Sequence, residues 1–388
     1  MSLKICFLCC AREDSNHPPS VLLRSTLRAI PITLPLTTSP FWLENELLKS
    51  VPYPLGKLPQ ADLTDLLTHN LNIRDPRVVF GPGLGRDAAV VAFGDTYLVA
   101  KTDPITFASD EIGWYAVNVN ANDIACLGAT PRWFIATLLL PEDKSDRALV
   151  ERIFEQLHAA GHALGVSLVG GHTEITHGLD RPIVVGAMFG EVAPDRLVRS
   201  DGARPGDALI LTKGICVEGT AILAQEFADS LRRAGVSADL IARAARFLHD
   251  PGISIVRDAA IAVGAGEIHA MHDPTEGGVA TGIAEITGAA GIGAVLEASA
   301  LPVYPETRAF CAALGLDPLG LIASGALLAV VAPGDAGAVL SALHADGISA
   351  ARIGTMREAP GVVVRDAAGE HPLTVFPRDE IARLFEVP

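Results

Sequence analysis

Two periodicities of apolar and polar residues alternate along the chain from about residue 58 onward. Apolar runs typical of strands lie at 88–93, 97–100, 132–140, 166–171 and 181–192. Between these runs, apolar residues recur at the three- and four-residue spacing of a helix. One helix is predicted to start after Ser109 as its N-cap, with Asp110 and Glu111 in the first turn, where the helix dipole favours acids. A second helix presents an apolar face over 149–164.

A polar, turn-rich stretch at 199–207 interrupts this alternation and suits a domain boundary. After it, strands are predicted at 208–212, 267–273, 294–298, 326–332, 350–356 and 361–366. Helices are predicted at about 217–231, 238–248, 253–264, 277–290, 305–314 and 335–345. We therefore predict two mixed α/β domains, 51–198 and 199–388. An irregular, proline-interrupted extension at 1–50 precedes them.

Charge and composition restrict the class of partner. The 388 residues carry a net charge of −15, which disfavours nucleic acid or an anionic membrane, because both reward basic surfaces. No uninterrupted apolar window approaches the ~18 residues of a membrane span, and the N-terminal apolar run is too short for a signal peptide. The six cysteines form no disulfide framework. Cys6, Cys9 and Cys10 lack the second pair of ligands that a zinc site needs. We expect a cytoplasmic protein.

The first candidate for chemistry is the glycine-rich stretch at 81–89. Its three glycines allow backbone amides to approach an anion closely, although a plain turn has the same composition. It lacks the Gly-Lys-Ser/Thr of a Walker A loop, and it precedes strands, unlike a Rossmann fingerprint. Asp87 beside such a loop is a natural Mg²⁺ ligand.

Two further polar groups interrupt apolar elements. Asp103 is expected where Pro104 ends the strand at 97–100, either in a simple Asp-Pro turn or in a site. Asn118, Asn122 and Asp123 lie inside an apolar helix, where Asn and Asp have poor propensity. Either a buried polar network or contact with a ligand or metal would compensate for them.

Two similar strings are expected at strand exits. One is Gly-Gly-His-Thr-Glu at 170–174, and the other is His-Asp-Pro-Thr-Glu-Gly-Gly at 272–278, which leads into a helix. Each is compatible with a capping turn. A helix N-terminus also offers free amides to an anion. Together with the acids above, the strings favour a polyphosphate–Mg²⁺ site built from several carboxylates.

The order of these strings resembles the AIR synthase-like (PurM) ATP-binding superfamily. The resemblance runs from about residue 58 to 380 through GLGRDAAVV, KTDPITF, NANDIACLGATP, VGGHTEI, GARPGDALILT and HDPTEGGVATGIAEI. Within the superfamily, the chain is most similar to the hydrogenase expression/formation (HypE) branch and to AIR synthase-related proteins. The resemblance implies a two-domain PurM-like fold and a homodimer. The N-terminal domains would form a β-barrel-like interface, and ATP would lie between the domains.

The resemblance also implies roles for individual residues. The Mg²⁺ ligands would be Asp87, Asp103 and Asp123. The residues at the phosphates would be Gly83, Gly85, Asp273, Thr275, Gly277 and Gly278. The nucleotide or substrate side would be lined by Asn122, Gly171, His172, Thr173 and Glu174. The candidates for catalysis would be Asp123, His172 and Glu174.

The superfamily uses ATP to phosphorylate a carbonyl-type oxygen. The resemblance therefore implies an ATP- and Mg²⁺-dependent enzyme acting on a small or protein-borne carbonyl or carbamoyl acceptor, in hydrogenase or metallocentre maturation. The chain departs from HypE proteins because no cysteine follows Cys311 to carry a carbamoyl group, and because Glu276 stands where they usually have Arg. Two alternatives remain open: a nucleotide-binding maturation or regulatory partner without the cyanide-forming step, and a small-molecule kinase similar to thiamine-monophosphate kinase.

Overall fold

Helix α1 (Gln60–Asn70) is the first regular element that the structure describes. The structure is a computed structural model, and it describes Tyr53, Gly56 and residues 58–83, 86–106 and 110–385. The extension predicted at 1–50 and the N-cap predicted at Ser109 lie outside these residues. From Gly56 onward the chain forms one compact unit.

The N-terminal half folds into a six-stranded sheet. Its strands are β1 (Val78–Phe80), β2 (Ala89–Phe93), β3 (Thr96–Ile105), β4 (Thr130–Pro141), β5 (Ser167–Thr176) and β6 (Ile183–Val192). Their spatial order is β1-β2-β3-β6-β4-β5, and only the β4–β5 pair is parallel. Helix α3 (Arg147–Leu164) makes the crossover between these two strands, as parallel pairing requires. β1 and β5 form the two edges of the sheet.

Helix α2 (Ile112–Cys126) packs against this sheet, and nearly all of its residues are buried. The close approach depends on glycines in β6. A Cβ at Gly186 would lie 2.5 Å from the Asn120 amide and 2.7 Å from the Phe134 ring. A Cβ at Gly190 would lie 2.3 Å from the Ile124 side chain. The small residues of β6 therefore set the depth at which the polar side of α2 enters the fold.

The C-terminal half is built on a seven-stranded sheet. Its strands are β7 (Ala208–Thr212), β8 (Ile268–His272), β9 (Gly293–Glu297), β10 (Leu328–Val331), β11 (Ala350–Arg357), β12 (Gly361–Asp366) and β13 (Gly369–Pro372). Their order is β13-β12-β9-β11-β7-β10-β8. The helices are α4 (Val217–Glu226), α5 (Ala228–Arg233), α6 (Ala238–Ala244), α7 (Val256–Ala265), α8 (Gly278–Ala290), α9 (Pro305–Leu314) and α10 (Ala336–Ala345). The mixed α/β architecture predicted from the sequence is confirmed.

Several local predictions need correction. Pro104 does not end its strand, because β3 continues to Ile105. At that point β3 pairs only with β6, and a strand with one free side tolerates the missing amide of proline. The helix predicted at 217–231 is two helices that meet at Phe227. Helix α2 begins at Ile112, so Asp110 and Glu111 lie before its first turn.

Candidate active site

The polar side chains of α2 are partly satisfied by their own helix. Asn118 Nδ2 donates to Trp114 O over 2.9 Å, and Asn120 Nδ2 donates to Ala116 O over 2.8 Å. Both are bonds to the carbonyl four residues earlier, a common arrangement for a polar side chain inside a helix. Hydrogen bonds within the protein, rather than a ligand, therefore account for the Nδ2 groups of these two residues.

Asn122 joins the two halves of the fold. Its Nδ2 donates to Asp273 Oδ2 and to Ile253 O, each over 2.8 Å. Its Oδ1 accepts the amide of Ile255 over 2.9 Å. The side chain is fully buried. The amide group of Asn122 is thus engaged in holding α2 against the C-terminal half.

Lys101 lies among the carboxylates that the sequence singled out. Its Nζ is 3.0 Å from Asp123 Oδ2 and 3.8 Å from Asp103 Oδ2. Lys101 and Asp103 lie two apart on β3 and share one side of the strand. Burial opposes the charge of Lys101, but the carboxylates of Asp123, Asp103 and Asp87 outweigh it and raise the lysine pKa. The sequence pattern did not place Lys101 in the site, although its same-side i, i+2 spacing from Asp103 could have indicated it.

The ionised form of Asp123 is disfavoured by its surroundings in this cluster. Burial raises its pKa to about 7, with Lys101 opposing and with Asp87 and Asp103 adding to the rise. Its side chain is 8% exposed, against 36% for Asp103. A further cation would offset the burial and the repulsion by Asp87 and Asp103 that disfavour the ionised form of Asp123. Within the described residues, no three Asp, Glu, His or Cys side chains form a ready-made metal-binding group.

Asp87 is held by a buried histidine. His272 Nδ1 lies 3.1 Å from Asp87 Oδ2, and His272 Nε2 lies 2.8 Å from Glu285 Oε2. Burial disfavours the imidazolium, but Asp87 and Glu285 outweigh it and raise the His272 pKa well above its ordinary value. His272 therefore connects the glycine-rich stretch to β8 and α8. In the sequence, His272 is notable only as part of the string at 272–278.

The structure describes residues 81–83 and 86–89 of the glycine-rich stretch. Arg86 Nη1 donates to Gly81 O over 3.0 Å, and its guanidinium lies 4.3 Å from the centre of the Phe80 ring. A Cβ at Gly83 would lie 3.0 Å from the Arg86 side chain, a close contact that the flexible arginine can relieve by shifting. Gly85 lies outside the described residues.

The backbone amides of Gly277 and Gly278, at the start of α8, are not free, although the sequence predicted free amides there for an anion. The amide of Gly277 donates to Asp379 Oδ2 over 2.8 Å, and that of Gly278 donates to Thr275 O over 3.0 Å. Both glycines have positive φ, 78° and 65°. Protein groups therefore already bind these two amides, because the segment around Asp379 folds back onto the helix. Asp273, just before it, is buried, and its burial raises its pKa well above the ordinary value.

The string at 170–174 lies elsewhere. It is in the middle of β5 rather than at a strand exit, on the exposed edge of the sheet. The register places Gly171 opposite Ala136, Ala136 opposite Gly186, and Gly186 opposite Asp103. Three strand spacings, about 14 Å, thus separate Gly171 from Asp103. Within one chain, residues 171–174 do not join the acids.

His172 and Glu174 form an exposed pair on this edge. His172 Nε2 lies 3.0 Å from Glu174 Oε2, and both side chains are at least half exposed. The hydrogen bond from His172 lowers the pKa of the Glu174 carboxyl. The chemistry predicted for this pair requires a partner surface that the single chain does not provide.

Glu218 is another residue that the sequence pattern did not indicate. It lies in the first turn of α4 and is 7% exposed. Burial raises its pKa to about 7; a hydrogen bond from Ser324 opposes the rise, and Asp379, Glu276 and Asp103 add to it. A lone glutamate in an apolar helix carries no pattern in the sequence. Only the packing of α4 against the rest of the fold buries it and brings it within electrostatic reach of Asp103 and Asp379.

The two-sheet α/β fold and its cluster of acids match a known family in both halves of the chain. The model described as AIR synthase related protein, N-terminal domain, matches residues 85–192, and that of the C-terminal domain matches 204–367. The chain belongs to the AIR synthase related family.

Individual relatives are named Carbamoyl dehydratase HypE. The protein of Rhizobium leguminosarum bv. viciae is 36% identical over 279 residues, which cover 70% of this chain and 76% of the relative. That of Cupriavidus necator is 32% identical over 327 residues, with coverages of 74% and 88%. The predicted resemblance to the HypE branch is confirmed.

Solved structures agree with the sequence relatives. A HypE crystal structure in complex with ATP is 28% identical, with a TM-score of 0.62, over 84% of this chain and 96% of that one. The crystal structure of Escherichia coli HypE is 26% identical, with a TM-score of 0.62, over 72% and 86%. Thiamine monophosphate kinase of Aquifex aeolicus, at 19% identity and a TM-score of 0.60 over 78% and 96%, shares the fold. The PurM-like fold is confirmed.

The described helices were also compared with the requirements of a membrane span. None of them is both long and apolar enough to cross a bilayer.

Proposed function

We propose that this protein is an ATP- and Mg²⁺-dependent enzyme that phosphorylates the oxygen of a carbonyl or carbamoyl acceptor, in hydrogenase or metallocentre maturation. The observation that carries the proposal is the convergence of Asp103 and Asp123 on Lys101 where β3 meets α2. The relatives named Carbamoyl dehydratase HypE support the reaction class. The ATP complex of a 28% identical HypE supports the nucleotide.

Asp103 and Asp123 fit a magnesium ion that arrives with a triphosphate. Mg²⁺ is usually bound by one or two carboxylates together with phosphate oxygens and water, rather than by a complete protein cage. The raised pKa of Asp123 reflects burial and repulsion that a dication would relieve. Asp87 is proposed as the third ligand, held in position by His272. When bound, the ion would neutralise charge on the transferring phosphoryl group.

The protein's own residues would then supply positive charge, hold the two halves of the fold in place and contact the phosphates. Lys101 supplies a fixed positive charge beside Asp123, so that a phosphate oxygen does not face carboxylates alone. Asn122 keeps the two halves of the fold in register around the nucleotide. Asp273, Thr275, Gly277 and Gly278 are proposed to approach the phosphates. The two glycine amides would contribute only after Asp379 and Thr275 release them.

We further propose a homodimer formed through the edge strand β5. Leu168, Val169 and Ile175 are large apolar side chains that β5 leaves exposed. An unpaired, apolar strand edge favours pairing with another strand. Such pairing would bring Gly171, His172, Thr173 and Glu174 of one copy toward the acids of the other. It would thereby restore the nucleotide- or substrate-lining and catalytic roles proposed for them.

The test is ATP binding and turnover with and without Mg²⁺, by calorimetry and phosphate release with a panel of primary amides and carbamoyl compounds. We expect Asp123→Asn to reduce Mg²⁺-dependent turnover roughly 100-fold, because a carboxylate ligand of the ion that neutralises charge on the transferring phosphoryl group is lost. Asp180→Asn is the matched control, because Asp180 is fully exposed. Wild-type protein that neither binds ATP nor turns it over would refute the proposal, and so would an Asp123→Asn variant of wild-type activity.

A further inference from the structure

Glu218 is a buried acid that the functions above leave unused. It is the second residue of α4, and it follows Cys216, whose φ is 62°. The flanking Val217 and Ala221 pack with Tyr115 of α2 in one buried cluster. Glu218 therefore lies where α4 meets the helix that carries Asn122 and Asp123.

The carboxylate is anchored on one side only. The backbone amide of Glu218 donates to Ser324 O over 3.1 Å, and the Ser324 hydroxyl donates to the carboxylate. The other oxygen, Oε2, is buried and has no hydrogen-bond partner among the described residues. One fixed oxygen and one free oxygen are the arrangement expected of a group that is oriented to exchange a proton.

Two other buried polar atoms near Glu218 are unpartnered within the described residues. They are the hydroxyl of Tyr115, which is 1% exposed, and Oδ1 of Asp273, which is 2% exposed. Each residue is close enough to Glu218 for its pKa to be raised by the glutamate charge. Buried polar atoms without partners are rare in folded proteins, so these three atoms, from different elements, need a partner that the described residues do not supply.

Several acidic groups act on Glu218 through their charge or are acted on by it. They are Asp379 from the C-terminal segment, Glu276 before α8, Asp103 of β3, Asp273 after β8 and the Tyr115 phenol. Burial and these neighbours raise its pKa to about 7, so near neutral pH it can both take and release a proton.

We propose that Glu218 is a catalytic residue that accepts the proton from the nitrogen of a primary amide or carbamoyl acceptor. The inference rests on the proposed function and adds to it the residue that takes the proton. The acceptor oxygen forms a bond to the γ-phosphorus of ATP, and the bond from that phosphorus to the β-phosphate oxygen breaks, releasing ADP. The C–N bond becomes double as the N–H electron pair moves in, and the proton passes to Oε2 of Glu218. The product is an O-phosphorylated imidate.

The experiment compares wild-type full-length protein with Glu218→Gln and Glu218→Asp, using ATP, Mg²⁺ and N-acetyl-S-carbamoylcysteine or acetamide as probes. We expect Glu218→Gln to reduce amide-dependent ADP release about 100-fold or more while ATP affinity changes less than twofold. Glu218→Asp should retain partial activity with a shifted pH profile. Glu226→Gln, the same change at the exposed end of α4, serves as the control and should match wild type.

The outcomes separate the two proposals. Turnover by the wild type and by Glu218→Gln alike overturns the role of Glu218 and leaves the proposed function standing. ATP binding without turnover of any amide or carbamoyl probe overturns both the acceptor class and the role of Glu218. Absence of ATP binding overturns the proposed function itself. Loss of activity in Glu218→Gln with loss of ATP affinity overturns the catalytic role in favour of a structural one.

Discussion

Individual carboxylates in this protein are distinguished by burial rather than by residue type. Asp103 is 36% exposed on its side chain and Asp123 is 8% exposed, although both face Lys101. Burial raises the pKa of Asp123 to about 7. Desolvation and repulsion make its charge costly, and a cation offsets that cost. Differences of this kind assign different roles to acids that look alike in the sequence.

Glu218 yields a stability prediction that is independent of catalysis. Its pKa is about 7 in the folded protein and 4.5 as the reference value, so the folded state binds the proton more tightly. Its favourable contribution is complete below pH 4.5 and is lost as pH rises through 7. The difference corresponds to on the order of 3 kcal/mol. Glu218→Gln should therefore stabilise the protein at pH 8 by up to about 3 kcal/mol and change it little at pH 5.

Urea denaturation at both pH values measures this difference. Glu226→Gln, on the exposed part of the same helix, should leave the free energy of unfolding within about 0.5 kcal/mol of wild type. Equal stability of Glu218→Gln and wild type at pH 8 would contradict the burial of an ionised Glu218.

At the scale of elements, the site depends on how closely α2 approaches β6. The helix brings Asn122 and Asp123 to the junction only because Gly186 and Gly190 have no side chains to displace it. The sequence predicted the helix from its periodicity and its polar interruptions. It did not predict the depth of packing, because β6 is distant in sequence and its glycines resemble those of any loose strand.

Gly186→Val tests this contact. The added side chain would overlap the Asn120 amide and the Phe134 ring, so we expect a loss of about 1–3 kcal/mol in the free energy of unfolding and weaker ATP binding. Gly337→Ala is the control, because it lies in α10 with no atom within 4 Å of the new Cβ. It should be neutral or stabilise by up to about 1 kcal/mol. Denaturant titration of both variants measures the effect, and a fully stable Gly186→Val would show that α2 has room to shift.

At the scale of the whole molecule, the position of β5 decides whether a single chain contains all the residues assigned to the site. Residues 171–174 lie about 14 Å from Asp103 across the sheet. The sequence places both strings among predicted strands but cannot state their lateral order. The order β3-β6-β4-β5 is a tertiary result, and it separates strings that the resemblance assigns to one ligand.

Val169→Lys tests the proposed dimer. Val169 is 56% exposed on the β5 edge. If β5 of one copy pairs with β5 of another, a lysine at this position places like charges on both strands of the interface. We expect the variant to sediment as a monomer and to lose ATP turnover together with dimerisation. Phe93→Lys is the control, since Phe93 is equally exposed on β2 at the other side of the sheet, and it should retain the wild-type oligomeric state. A wild-type protein that is monomeric at micromolar concentration would contradict the interface.

The sequence by itself determined the α/β class, most of the helices and strands, and the family, because periodicity and short ordered strings are local properties. It also singled out Asp87, Asp103, Asp123 and Asp273. Tertiary structure alone decided that Lys101 neutralises two of them, that His272 holds a third, and that Glu218 approaches from α4. It also moved Gly171, His172, Thr173 and Glu174 to an exposed edge. These outcomes depend on which distant strands become neighbours and on how deeply each acid is buried, and neither is encoded in local spacing.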